Sequence, residues 1–135
     1  MIENIVFDMG NVMIVWDPDL PAHLHAAAEK CVRAWWADPL VPVPGMAALA
    51  EELKGLGYGV WLLTNATSRV HDYLPRIPGS AFFDGILFSA DWKLLKPQRE
   101  IYDKFCDMYA LDPAKCLFVD DRITNLAGAE VSGMH

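Results

Sequence analysis

The chain has 135 residues, enough for one compact domain and too few for two, and its hydrophobic fraction of 53% can fill a single core. Acidic residues number 18 against 11 basic ones, a net charge of −7, and no run of Lys or Arg could track a phosphate backbone, so nucleic acid is excluded as an expected partner. No apolar window reaches the roughly 18 residues of a membrane span, and the N-terminus lacks the basic-then-apolar pattern of a signal peptide, so the chain reads as soluble and cytoplasmic, with no membrane partner.

Ile2 to Phe7 is a short β-branched apolar run that ends at Asp8-Met9-Gly10-Asn11, which predicts a buried strand followed by a turn. Val12 to Trp16 is a second apolar run, stopped by Asp17-Pro18-Asp19, and predicts a small hairpin or flap beyond that strand. His23 to Trp36 is Ala-rich, and the connector "DPLVPVPG" from Asp38 to Gly45 follows it, so one helix is expected between two proline turns. Met46, Leu49, Leu53 and Leu56 recur at helical spacing up to Gly57, and Val60-Trp61-Leu62-Leu63 then supplies a strand ending at Thr64-Asn65.

A helix over Ser68 to Leu74 is stopped by Pro75 and Pro78, before a short strand from Gly85 to Phe88. Pro97 opens a further helix with Ile101, Phe105 and Met108 on its apolar stripe, closed at Leu111-Asp112-Pro113. Cys116 to Val119 makes a fourth strand with Asp120-Asp121 at its end, and Asn125 to Val131 a last helix. Cys31, Cys106 and Cys116 are widely spaced without a C-x-x-C pair, which favours buried, inert thiols over a disulfide framework or a zinc site.

Strands alternating with helices predict a parallel sheet with helices on both faces, a three-layer Rossmann-like α/β/α domain. Right-handed crossovers place every strand's C-terminal end on one edge, where such sheets bind ligands. Asp8, Thr64-Asn65 and Asp120-Asp121 all fall at that edge.

Three carboxylates within a few ångströms would repel and raise one another's pKa unless a cation sat among them. A hard divalent ion with oxygen ligands, Mg²⁺ above all, meets that need and keeps positions open for water and a phosphate oxygen. Thr64 and Asn65 can donate hydrogen bonds, and Lys96 adds a positive charge just before Pro97. These are the surroundings a phosphoryl group requires, with Asp8 as an in-line nucleophile that becomes an aspartyl-phosphate and is then hydrolysed. Singly, Asp8 reads as a turn residue, Asp120-Asp121 as a helix cap and Lys96 as a solvated side chain. Jointly they point to a phosphate and metal site.

The segments "VFDMGNV", "LLTNAT", "LLKPQREIY" and "LFVDDRITNLAGA", in this order, resemble the four motifs of the haloacid dehalogenase-like hydrolase superfamily, over nearly the whole chain. The resemblance implies that Asp8 is nucleophile and metal ligand, Thr64 the phosphate-binding hydroxyl, Lys96 the charge stabiliser and Asp121 a direct metal ligand. It implies that Asp120 and Asn125 are neighbours supporting these groups. The "FDxGNV" form is most similar to a group of small sugar-phosphate phosphatase-like proteins. The expected activity is thus Mg²⁺-dependent hydrolysis of small phosphate esters.

Two departures from the family pattern bear on that expectation. Most phosphatases of the superfamily carry D-x-D, the second Asp acting as general acid and base, whereas Gly10 stands there and offers only the backbone carbonyl that in the family binds Mg²⁺. A general acid contributes about 10² to 10⁴ in rate, so its loss slows the reaction without removing nucleophile or metal; Asp17 is a weak replacement. The second departure is size: residues 19–44 form a remnant cap or linker insertion with room for one helix, where relatives insert several.

The chain also stops after its last helix, where relatives add a strand, so the fourth strand is expected to be an exposed edge. That edge, or the Trp35-Trp36 surface, offers a contact for a homo-oligomer. Two alternatives stand beside the phosphatase: a metal-independent 2-haloacid dehalogenase, whose nucleophilic Asp also lacks the second Asp, and a degenerate domain that binds phosphate or assembles without turnover.

Overall fold

Four short strands set the frame. In the computed structural model, which describes residues 1–14 and 42–135, β1 (Asn4–Phe7), β2 (Gly59–Thr64), β3 (Gly85–Phe88) and β4 (Cys116–Val119) form one sheet in the order β3-β2-β1-β4. Every neighbouring pair is parallel, with Phe7 level with Leu62 and Val119, and Thr64 level with Phe88. The strand ends therefore share one side of the sheet, as the alternating pattern predicts.

The helices are α1 (Met46–Gly55), α2 (Val70–Tyr73), α3 (Ser89–Trp92), α4 (Arg99–Tyr109) and α5 (Ile123–Val131). Successive strand residues point to opposite faces, so each strand feeds two cores. On one face Ile5, Phe7, Val60, Leu62 and Phe88 pack with Ala50 of α1 and Val70 and Tyr73 of α2. On the other, Val6, Trp61, Leu63, Leu87 and Phe118 pack with Ile101, Tyr102 and Phe105 of α4 and Ala129 of α5. The result is the expected three-layer α/β/α arrangement, in which burying each large apolar side chain contributes about 1.5 to 3 kcal/mol.

Both sheet edges have partners within the chain. On the β3 edge, the Tyr109 hydroxyl accepts from the Ile86 N–H at 2.8 Å and donates to the Ile86 carbonyl at 2.7 Å, which satisfies backbone groups an edge strand otherwise exposes. Gly85 makes this approach possible, since a Cβ there would lie 2.4 Å from the Tyr109 ring. On the β4 side, His135 donates its N–H to the Cys116 carbonyl at 2.9 Å and accepts from the Phe118 N–H at 2.8 Å. The edge expected to be bare is thus partly paired by His135 itself.

Several boundaries differ from the sequence reading. The helix expected from Ser68 begins only at Val70 and lasts one turn, because Pro75 turns the chain into a 3₁₀ segment at Leu74–Arg76. The short α3 was not expected, since Ser89-Ala90-Asp91-Trp92 carries no apolar period. The last helix starts at Ile123, which puts Asn125 inside it rather than at its beginning. Beyond β1 the chain turns tightly, the Met13 and Ile14 N–H groups both bonding to the Met9 carbonyl, and Ile14 bridges Pro42.

The remainder of the expected flap, the 23–36 helix, Cys31, Trp35 and Trp36 lie outside the described residues, as does most of the 19–44 segment. Cys106 and Cys116 are buried free thiols. Among the described residues no helix is long and apolar enough to cross a membrane.

Candidate functional site

Loops at the C-terminal ends of all four strands surround a cavity of about 960 Å³, lined by Asp8, Gly10, Thr64, Asn65, Lys96 and Asp121 among others. Asp8 follows β1 directly and is pinned to β4 by its N–H, which donates to the Val119 carbonyl at 2.8 Å. At 8% exposure its carboxyl is largely desolvated. Burial pushes its pKa above the ordinary value; the Lys96 charge and hydrogen bond pull it down, and the Asp120 charge adds to the rise.

Lys96 is the hub of the polar interior. Its ammonium donates to Asp8 Oδ1 at 2.7 Å, to Asp120 Oδ2 at 2.6 Å and to the Leu63 carbonyl at 3.1 Å, and its side chain is 1% exposed. The sequence presents this residue as a mobile charge, whereas the fold buries it with all its donors engaged. Asn65 holds it there: the Asn65 carbonyl accepts from the Lys96 N–H at 2.9 Å, and the Asn65 amide donates to the Lys96 carbonyl at 3.0 Å. The Asn65 side chain, expected to face a phosphate, is committed to the Lys96 backbone.

Thr64 closes β2 at 2% exposure, lines the cavity, and its hydroxyl engages no partner among the described residues. The loop after it is fixed by Ser89, whose hydroxyl accepts from the Ala66 N–H at 3.0 Å and donates to the Ala66 carbonyl at 3.2 Å.

The adjacent Asp120 and Asp121 have opposite environments. The Asp120 side chain is fully buried and receives Lys96, the Arg122 N–H at 2.9 Å and the Asn125 amide on both oxygens at 3.0 Å. Asn125 is braced in turn by the Tyr102 hydroxyl, which donates to its carbonyl at 2.8 Å. Burial and the charges of Asp120 and Asp8 push the Tyr102 pKa upward, so the phenol keeps its proton. Asp121 is exposed and, among the described residues, accepts one bond, from the Asn11 amide at 3.0 Å.

Asp8, Asp120 and Asp121 each offer a carboxylate oxygen, all within 4.8 Å of one another. Both Asp120 oxygens are already taken, which leaves Asp8 and Asp121 as the carboxylates with capacity to spare. The bonds that close the turn after β1 run through Met9 and Asn11, and the Gly10 carbonyl has no described partner. Two carboxylates and a carbonyl form an all-oxygen donor set, the chemistry a hard divalent cation requires.

Asn11 and Tyr102 are site residues that sequence reasoning missed. Asn11 adopts the left-handed conformation (φ 57), which Asn tolerates better than most residues, and the Gly-Asn pair is the signal that could have flagged it. Tyr102 reads only as an apolar position of α4, and no local pattern shows that its hydroxyl reaches α5.

Comparison with known proteins agrees with this architecture. The family model described as haloacid dehalogenase-like hydrolase matches residues 6–133. The chain is similar to a sesquiterpene phosphatase of Aspergillus oryzae, 33% identical over 96 residues that make up 70% of this chain and 49% of that protein. It is also similar to an (S)-2-haloacid dehalogenase of Burkholderia cepacia, 30% identical over 93 residues, 68% of this chain and 40% of that one. The chain thus spans about half the length, or less, of these curated relatives. Among solved structures, a haloacid dehalogenase-like enzyme of Bacteroides thetaiotaomicron in complex with magnesium superposes with a TM-score of 0.79 at 20% identity, covering 98% of this chain and 90% of that one. A haloacid dehalogenase-like hydrolase of Porphyromonas gingivalis gives 0.78 at 20% identity, covering 100% and 89%.

Proposed function

Since the chain belongs to the haloacid dehalogenase-like hydrolase family, we propose that it is a Mg²⁺-dependent phosphatase of small phosphate esters that works through an aspartyl-phosphate on Asp8. The observation that carries this reading is the division of labour among the acidic groups. Asp8 and Asp120 share the buried Lys96, while Asp121 stays open on the cavity side within reach of Asp8.

Asp8, Asp121 and the Gly10 carbonyl would hold the Mg²⁺. When bound, the ion neutralises negative charge where the phosphoryl group docks. The remaining work belongs to the chain. Lys96 opposes the rise in pKa that burial imposes on Asp8 and orients its carboxylate. Thr64 offers its free hydroxyl to a phosphoryl oxygen. Asp8 attacks phosphorus in line and the alcohol leaves; water then attacks the aspartyl-phosphate, releasing phosphate and regenerating Asp8.

Gly10 supplies no side-chain acid for the leaving alcohol, so esters with acidic leaving groups react fastest, since they need least protonation. The A. oryzae relative is a phosphatase, and the B. thetaiotaomicron structure holds magnesium, both in keeping with this reading. The test is Mg²⁺-dependent phosphate release from an aryl phosphate by the wild type and by Asp8→Asn. Equal rates for the two proteins would sink the proposal.

Dehalogenation of 2-haloacids is the second reading, favoured by the B. cepacia relative and by Gly10. It needs no metal and so leaves the open Asp121 without a task. Halide release in the presence of a chelator would revive it.

A further inference from the structure

We infer that the substrate of this site carries a second anionic group, received by one of two cations, Lys93 and Arg122, that stand on the two flanks of the cavity. The inference rests on the phosphatase reading, in which the phosphoryl group is the first anion.

Positive charge is scarce in this chain, and most of it is committed among the described residues. Among the described residues Lys54 pairs with Asp84, Lys115 with Glu3 and Arg99 with Asp103, Lys104 lies over the Trp92 ring, and Lys96 is consumed by Asp8 and Asp120. Arg69 and Arg76 also have partners. Lys93 and Arg122 are the two whose charged groups engage nothing described, and both line the cavity. In a protein of net charge −7, unpaired cations would be expected to find carboxylates anywhere on the surface; these two are instead left free where a ligand enters.

The backbone at Lys93 supports the same conclusion. This residue caps α3 in the left-handed conformation, φ 55 and ψ 34, which glycine or asparagine would adopt at lower cost. A lysine kept there in spite of that cost puts a long cationic side chain on the cavity wall, and strain of this kind clusters at ligand sites.

Topology sets the arrangement. Lys93 comes after β3 and Arg122 after β4, the two ends of the strand order, whereas Asp8 follows the central strand β1 and Thr64 ends the central strand β2. Adjacent strands lie about 4.8 Å apart, so the cations stand on opposite sides of the reacting centre rather than on it. A phosphate ester with a carboxylate or second phosphoryl group a few carbon atoms away places that group against one of them.

The test uses phosphonates, which bind without being hydrolysed. Calorimetry with Mg²⁺ at about 0.15 M ionic strength compares alkylphosphonates of increasing length ended by methyl, carboxylate or a second phosphonate, on the wild type, Lys93→Gln, Arg122→Gln and the double variant. At one or more lengths an anion-ended probe should bind the wild type about tenfold tighter than its methyl-ended counterpart. That ratio should fall to within about twofold of unity in the double variant, with circular dichroism confirming that it folds. The carboxylate and phosphonate arms show which anion is preferred. Equal binding of methyl-ended and anion-ended probes at every length, a preference that survives both substitutions, or no binding by any probe overturns the inference. Phosphonate binding by a protein that releases no phosphate from esters would instead count against the phosphatase reading alone.

Discussion

The Lys96 ammonium lies 2.7 Å from Asp8 Oδ1 and 2.6 Å from Asp120 Oδ2, so one buried cation is shared by two carboxylates that follow different strands. Removing it strands two negative charges in the interior. Lys96→Met should therefore cost about 3 to 5 kcal/mol of stability, read by urea unfolding of the metal-free protein. A loss below about 1 kcal/mol would mean that the pair behaves as a solvated surface contact.

Asp8 itself gives a pH-dependent prediction. Its pKa is raised above 3.8 because burial outweighs the help from Lys96. Between the unfolded and the folded value the native state holds a proton that the unfolded chain has released. Stability contributed by Asp8 therefore falls as pH rises through that window, and above it the ionised group is a net cost. Asp8→Asn removes the cost, so without metal its melting temperature should exceed that of the wild type at neutral pH. The gap should shrink as pH falls through that window and close below about 4, where the unfolded carboxyl is also protonated. A wild type more stable than the variant at neutral pH would contradict this.

Mg²⁺ should act in the opposite sense. An ion that binds only the folded state stabilises it by about 2.7 kcal/mol at a hundredfold excess over its dissociation constant. The wild type should show this rise in thermal melts. Asp121→Asn should lose most of it while keeping its metal-free stability, because Asp121 is exposed and, among the described residues, bonded only to Asn11. An undiminished Mg²⁺ response in the variant would remove Asp121 from the metal shell.

Gly85 separates folding from chemistry. A Cβ at this position would lie 2.4 Å from the Tyr109 ring, and Tyr109 covers the β3 edge at Ile86, away from the cavity. Gly85→Ala should lose about 1 to 3 kcal/mol in denaturant unfolding. Phosphate release per folded molecule should stay near that of the wild type; a selective loss of activity would tie this edge to the site.

The frame was legible in the sequence because its signals are local. The runs Gly85 to Phe88 and Cys116 to Val119 appear as strands with the bounds read from composition, and the acidic and hydroxyl residues at strand ends meet because parallel topology leaves them no other place. Partnerships between distant residues were not legible. Asn65 and Lys96 are 31 positions apart, and nothing near either shows that the amide spends itself on the other's backbone. Likewise Asp120 and Asp121 are equivalent as letters, and only the family resemblance gave them different roles. The turn after β4 buries one against Lys96 and Asn125 and exposes the other, a difference set by strand alternation and by where α5 begins.

The most direct measurement of the central claim is to look for the covalent intermediate. The wild type, mixed with Mg²⁺ and an aryl phosphate and quenched in acid, is digested and searched by mass spectrometry for a phosphoryl group on the peptide that contains Asp8. The adduct is expected on Asp8, dependent on Mg²⁺ and absent from Asp8→Asn. Turnover of the ester with an unmodified Asp8, or an adduct that persists in Asp8→Asn, would contradict it.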